Sequence, residues 1–319
     1  MRNVMMSVSR GTAIASAAAA FVAGPQIVGA QERQKIRFCG VPTDDLTPIF
    51  WGVKNGTYAK AGLDVEFVPM SSGTTATQAV IAGTYEIGKG SSVAALIAHL
   101  KGIPVVIVGN GILWEQTNKW SLGLVRKDEP WKTGADLNNK TIAGTALGDL
   151  LTLGIRGWVD QNGGDSKTIK WVEIPNSIAG EALIAGRIDV CQLMEPQLHA
   201  ALATGKVRIF APFLDSIAPY YALTIYMARP DWANANKATV ERFVKTTYEL
   251  ASFTNTHPAD TIELTAATLK MPVEIFKTMT RVHAATTSDP ALTQPVIDMA
   301  AKYGSLSRAF PAKEVYFSG

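Results

Sequence analysis

Residues 47–67, TPIFWGVKNGTYAKAGLDVEF, commit this chain to alternating helices and strands. Thr47 is a helix-capping residue type, and Pro48 suits the first helical position, where its fixed φ fits and its missing N–H is not needed. Ile49, Phe50 and Val53 then share one face until Asn55-Gly56 stops the helix. Residues 57–61 predict one further turn, closed by Gly62. After it Leu63, Val65 and Phe67 alternate with Asp64 and Glu66, the period-two pattern of a strand. The loop ahead of Thr47 is thus placed to bring a ligand to unpaired backbone donors.

The same grammar repeats. Residues 36–41 read as the first strand, and Ser71-Ser72-Gly73 opens a helix stopped by Gly83. A short strand is expected at 85–89, a helix capped by Ser91-Ser92, and a fully buried strand at 103–109. Residues 120–126 read as a crossover strand, after which the pattern restarts. Further strands are expected at 141–144, 168–174 and 188–194, with helices opened by Asp149 and by Asn176-Ser177. Residues 79–87, AVIAGTYEI, echo 182–190, ALIAGRIDV, as two similar lobes would. A return strand is expected at 221–229, then a long helix from Pro230 to about Thr254. Three further helices, 258–269, 272–282 and 290–302, each begin at a proline and are read as packing with little chemistry.

Strands alternating with helices imply an α/β chain whose sheets are mostly parallel, and such sheets bind ligands beyond the carboxyl ends of their strands. The length exceeds the roughly 250 residues at which single cores tend to divide. We therefore expect two lobes, 31–119 with 221–319 and 120–220, joined by two crossover strands that act as a hinge.

Residues 1–30 read as an export leader. Arg2 and Arg10 make a positive start, residues 12–22 are apolar, and Val28-Gly29-Ala30 fits a small-residue cleavage site after Ala30. No cysteine stands at that point to take a lipid. Removing the leader lowers the formal charge from +3 to +1, and no basic block remains of the kind that binds nucleic acid. Cys39 and Cys191 fall in strands of different lobes and are expected as buried free thiols.

The run K-N-G-x-Y-x-K-A-G-L-D-V-E-F, the Ser-Ser-Gly turn at 71–73 and the A-G-x-Y-E-I-G strand at 82–88 resemble the solute-binding proteins of ABC importers in the nitrate, sulfonate, taurine and thiamine-pyrimidine-precursor group. The resemblance runs from about Ile36 to Arg229. It implies the type II periplasmic-binding-protein fold and a periplasmic monomer without cofactor that closes on a small solute and docks to a membrane permease with its ATPase. It further implies that the loops of Ser72, Ser92 and Thr145 line the cleft.

Three residue sets are candidates for contact. The hydroxyls Thr47, Ser71, Ser72, Ser91, Ser92, Thr145 and Ser177 mark helix N-termini, whose free N–H groups suit a sulfonate, nitrate, phosphate or carboxylate; most such residues only cap. The acids Asp44, Asp45, Asp149 and Glu195 would pair with an ammonium or aromatic amine, with Asp45 read as a solvated loop acid. The aromatics Trp51, Trp114, Trp120 and Tyr220 offer stacking surfaces, although aromatic residues more often fill cores. From these we select Asp44, Thr47, Ser72, Ser92, Trp114, Thr145, Asp149, Glu195 and Tyr220. Four scattered histidines have no partner at metal spacing, and nucleophile-elbow, phosphate-loop and dinucleotide motifs are missing. An enzyme of thiamine-pyrimidine biosynthesis on the same fold is the alternative, although the cysteine-rich segment associated with it is missing here; a ligand-sensing partner of a receptor is the other.

Overall fold

Ile36 and Phe38 are fully buried on the first strand, β1 (Gln34–Gly40), and the first sheet grows from both its edges. The computed structural model describes Met1 and residues 33–319, so the expected leader lies outside the described residues. Strands β2 (Leu63–Pro69), β3 (Ile87–Ser91) and β4 (Val106–Asn110) alternate with helices α1 (Thr47–Lys54), α2 (Thr57–Lys60), α3 (Gly73–Ile81) and α4 (Ser92–Leu100). Gly56 and Gly62 both sit at φ +75°, a left-handed conformation that lets each short helix end without the clash a Cβ brings.

The chain then leaves through β5 (Leu113–Glu115) and builds a second sheet. It comprises β6 (Ser121–Arg126), β7 (Thr141–Gly144), β8 (Lys170–Glu173), β9 (Val190–Met194) and β10 (Val207–Ala211), with α5 (Leu150–Gln161), α6 (Asn176–Ile184) and α7 (Gln197–Ala203) on its faces. It returns through β11 (Tyr220–Ala222) to β12 (Thr224–Ala228), and α8 (Pro230–Ala235), α9 (Lys237–Thr256), α10 (Pro258–Leu269), α11 (Val273–Thr278) and α12 (Gln294–Lys302) complete it.

The first sheet has the order β2-β1-β3-β12-β4 and the second β10-β6-β9-β7-β8. Each is parallel around its first βαβ units and carries one opposed strand: β12 runs antiparallel to β3 and β4, and β6 antiparallel to β9 and β10. The crossover expected at 120–126 is therefore a strand of the second sheet. The connection is instead a separate ribbon of β5 and β11, paired from Tyr220 with Glu115 to Ala222 with Leu113.

Phe38, Phe50, Phe67, Tyr226 and Phe243 pack ring to ring between the first sheet and its helices. Val125, Ile142, Ile155, Val159 and Phe213 fill the second core. Cys39 and Cys191 are free and buried, one in each sheet, and burial pushes both thiols up to about 12.

The C-terminal third departs from the expected helices. The long helix is broken at Asn236, whose side-chain amide donates to the Trp232 carbonyl at 2.9 Å. The helix expected at 272–282 ends at Thr278, because the crossover ribbon claims the residues beyond it. Leu113 N–H donates to the His283 carbonyl at 3.2 Å, Ala285 N–H donates to the Gly111 carbonyl at 2.7 Å, and Ala284 bridges Ile112. Residues 279–289 thus run irregularly across the mouth of the first sheet. Among the described residues no helix is long and apolar enough to cross a membrane.

Candidate functional site

The carboxyl ends of β1, β3, β7 and β9 lie where the two halves meet, and the polar residues there are held very differently on the two sides. On the first side, Asp44 starts a 3-10 turn, Asp44–Leu46, that runs straight into α1. Its carboxylate is buried and takes the Arg281 Nε at 2.9 and 3.0 Å, the Arg281 Nη2 at 2.8 Å and the Val282 N–H at 3.0 Å. Burial pushes its pKa above the ordinary carboxylate value against those partners. Asp45, expected in solvent, is buried too and is ion-paired with Lys89 of β3, which also donates to Thr43 Oγ1 at 2.9 Å. A cavity of about 180 Å³ lies beside these groups, lined by Asp44, Asp45, Thr47, Asn118, Arg281 and His283 among others.

On the second side Asp149 and Glu195 have no ion-pair partner among the described residues. Asp149 caps α5 by accepting the Thr152 N–H at 2.9 Å and takes the Thr145 hydroxyl on its other oxygen. Burial raises its pKa, opposed by those hydrogen bonds. Glu195, only 6 % exposed, comes directly after β9 and accepts the His199 N–H at 3.0 Å. Burial lifts its carboxyl to about 7; the His199 and Thr280 amides oppose the rise, and the Asp44 charge adds to it. The His199 ring, just after β9, meets Thr278 Oγ1 at 3.2 Å, so this end of the second sheet adjoins the segment that carries Arg281 onto Asp44. On the face of β9 next to Thr145 and Asn176, the buried Gln192 donates its amide to Ser121 Oγ at 3.1 Å, and its side-chain oxygen has no partner.

The remaining candidates divide. Ser72 caps α3 with a reciprocal pair to Thr75, accepting its N–H at 3.1 Å while Thr75 Oγ1 accepts the Ser72 N–H at 3.1 Å. An added Cβ on Gly73 would stand 3.0 Å from Ser91 N, so this turn packs directly on the next junction. Tyr220 is 45 % exposed on the crossover ribbon, opposite Glu115. Three candidates are corrected. Thr47 is no cap: it is the first residue of α1, and its buried hydroxyl donates back to the Asp44 carbonyl at 2.6 Å and meets Thr265 Oγ1 at 3.0 Å. Ser92 is fully buried and donates to the Leu223 carbonyl at 3.0 Å, whereas its neighbour Ser91 caps α4. Trp114 is fully buried, edge-on to Trp120, with its indole N–H on Asp215 at 3.2 Å. It is a structural post of the ribbon. Ser177 likewise lies inside α6, and Trp51 stacks on Phe253.

Sequence reasoning missed Lys89, Gln192 and Arg281. The first two carry a readable signal, a polar residue inside an otherwise small or apolar strand. Arg281 carries none locally, because its partner Asp44 is 237 residues away.

Comparisons with known proteins agree on the fold. A curated relative from Escherichia coli (strain K12), provisionally named an aliphatic sulfonates-binding protein, is 24% identical over 215 residues, 66% of this chain and 64% of its own length. The chain thus spans just under two thirds of that relative. The crystal structure of the periplasmic aliphatic sulphonate binding protein SsuA from Escherichia coli superposes with a TM-score of 0.73 at 19% identity, covering 90% of this chain and 92% of the other. The alkanesulfonate-binding protein SsuA from Xanthomonas axonopodis pv. citri, bound to MOPS, gives 0.73 at 16% identity over 90% and 99%. The periplasmic nitrate-binding protein NrtA from Synechocystis PCC 6803 gives 0.72 at 14% identity over 90% and 86%. The family model described as NMT1/THI5 like matches residues 43–261, well over half of the sequence. The chain belongs to the NMT1/THI5-like family and has the periplasmic binding protein fold.

Proposed function

We propose that this chain is the solute-binding component of an ABC importer. It would be exported to the periplasm after cleavage behind Ala30, work as a monomer, and present its closed form to a membrane permease with its ATPase. In this reading the lobes are 31–119 with 221–319 and 120–220. The solute is a small organic molecule, sulfonate- or taurine-like, a pyrimidine or an aromatic acid, held by residues drawn from Asp44, Thr47, Ser72, Thr145, Asp149, Glu195 and Tyr220, with Ser92 and Trp114, both fully buried, supporting the walls around it. The role is binding without catalysis.

The observation that carries this reading is the contact between the two sheets' carboxyl edges, where the His199 ring just after β9 meets Thr278 Oγ1 at 3.2 Å close to the Arg281–Asp44 pair, with a two-strand ribbon as the covalent link between the halves. Sheets facing each other by their carboxyl ends, joined by a narrow ribbon, make a cleft that closes by rotation about it. A thermal-shift screen of sulfonates, taurine, nitrate, pyrimidines and aromatic carboxylates tests it. Solute at about 100 times its dissociation constant adds roughly 2.7 kcal/mol of stability. No shift with any compound, together with an empty cleft by native mass spectrometry, would remove the proposal.

One observation favours an enzymatic second reading: a buried carboxyl poised near neutrality, Glu195, is what proton transfer uses. Its hydrogen-bond partners, however, are the backbone amides of His199 and Thr280, and the nearby Asp44 is held by Arg281.

A further inference from the structure

The two halves touch on two sides of the ribbon, and the chemistry of the two contacts differs. Trp114 and Tyr221, paired across β5 and β11, share one face of the ribbon. There a single apolar cluster runs from Val93 and Leu96 of α4, through both aromatic rings, to Leu150, Leu151 and Leu153 of α5. Helix α12 lies within it and contributes Val296, Ile297 and Met299. The approach to α5 is close, since a Cβ added at Gly157 would stand 3.0 Å from Met299 Cε. Just past α12, Arg156 donates to the Tyr303 carbonyl at 3.0 Å and lies over the Tyr303 ring. The Tyr303 hydroxyl donates to Asp160 at 2.8 Å, and Ser305 donates to the Gly148 carbonyl at 3.4 Å.

The free edge of β5 is different. Residues 283–285 pair there with residues 111–113, and the segment just before them reaches the second sheet through hydrogen bonds. Thr278 Oγ1 meets the His199 ring at 3.2 Å, and Glu195 accepts the Thr280 N–H. Water can take over both bonds when they break, whereas parting the cluster would expose its apolar surface with nothing to replace the lost contacts. We infer that α12 is the pivot of the hinge: the halves part along the Thr278–His199 side while α12 stays packed on α4 and α5. The inference rests on the solute-binding reading, whose closing motion it places, and it makes α12 serve both halves although it is encoded after the return strand.

The test is pulsed electron-spin distance measurement on full chains labelled at two pairs of exposed positions. Lys277→Cys with Ala203→Cys spans the hydrogen-bonded side, and Lys302→Cys with Lys167→Cys spans the apolar side; the native Cys39 and Cys191 are buried. Every labelled chain is first shown to melt cooperatively. Adding Thr278→Val with His199→Ala should lengthen the first distance and leave the second narrow and unchanged. Met299→Ala, which loosens α12 on Gly157, should broaden the second. A second distance that lengthens together with the first, or in place of it, would overturn the pivot and leave the solute-binding reading standing. Two distances that stay fixed in every variant, and with every compound of the thermal-shift screen, would remove the hinge motion and the closing mechanism with it.

Discussion

The two meeting edges solve the same problem in opposite ways. The first buries Asp44 and Asp45 and neutralises each with a cation, Arg281 or Lys89, supplied from elsewhere in the chain. The second buries Glu195 and Asp149 with amides and hydroxyls as their hydrogen-bond donors among the described residues. Ion pairs held by several hydrogen bonds cannot rearrange without exposing an unpaired charge, so the first edge is fixed. Carboxyls held by neutral donors respond to protons and ligands. The asymmetry teaches that one edge is fixed by ion pairs while the other is left free to answer a change of protonation.

The largest expected effect breaks the platform. Arg281→Ala leaves the Asp44 carboxylate buried without its charge partner, and losses of that kind run to about 3–5 kcal/mol. Denaturant unfolding should show it. The double change Lys89→Met with Asp45→Asn should cost much less than Lys89→Met alone, since the stranded charge is what hurts. Equal losses would mean that the ion pairs are incidental.

A smaller effect sharpens the contrast through pH. The folded Glu195 carboxyl titrates at about 7, against an ordinary 4.5. The folded state therefore binds the proton more tightly than the unfolded chain does. Stability from this group is undiminished below the unfolded value, falls as pH rises through the interval, and is lower by about 3 kcal/mol above neutrality. Subtracting the pH profile of Glu195→Gln isolates this slope, and identical profiles would refute it.

The smallest effects are at the caps. Ser72→Ala on the first side and Asp149→Ala on the second should each cost about 1 kcal/mol by removing an acceptor from a helix N-terminus. Thermal melting would resolve both. A far larger loss at Asp149 would show that its contact with Thr145 also holds the β7–α5 loop in place.

Local chemistry made much of the fold legible. The helix at Thr47, the Asn-Gly stop, the strand Leu63–Pro69 and the caps at Ser72 and Asp149 all depend on neighbours within a few residues. Ser91 and Ser92 show the limit of that reading. Both are serines at a strand-to-helix junction, yet one caps while the other points inward to Leu223, a choice made by the return strand 131 residues later. Trp114 was misread for the same reason, since its indole is claimed by Asp215. Residues 279–282 were the costliest miss. The helix expected through them stops at Thr278, the next residues 283–285 pair with residues 111–113, and Arg281 between them reaches Asp44. Packing partners distant in sequence decide such cases, and no local spacing records them.

The position of β12 has a consequence for the order in which the molecule can assemble. This strand lies between β3 and β4, hydrogen-bonded to both, although the whole of the second sheet is encoded before it. A growing or refolding chain can complete the second sheet from one uninterrupted stretch, while the first keeps a gap in its middle until Thr224–Ala228 arrives. The inserted half can mature early, and the half that encloses it must wait, with its ladder groups on β3 and β4 open to whatever else can pair with them.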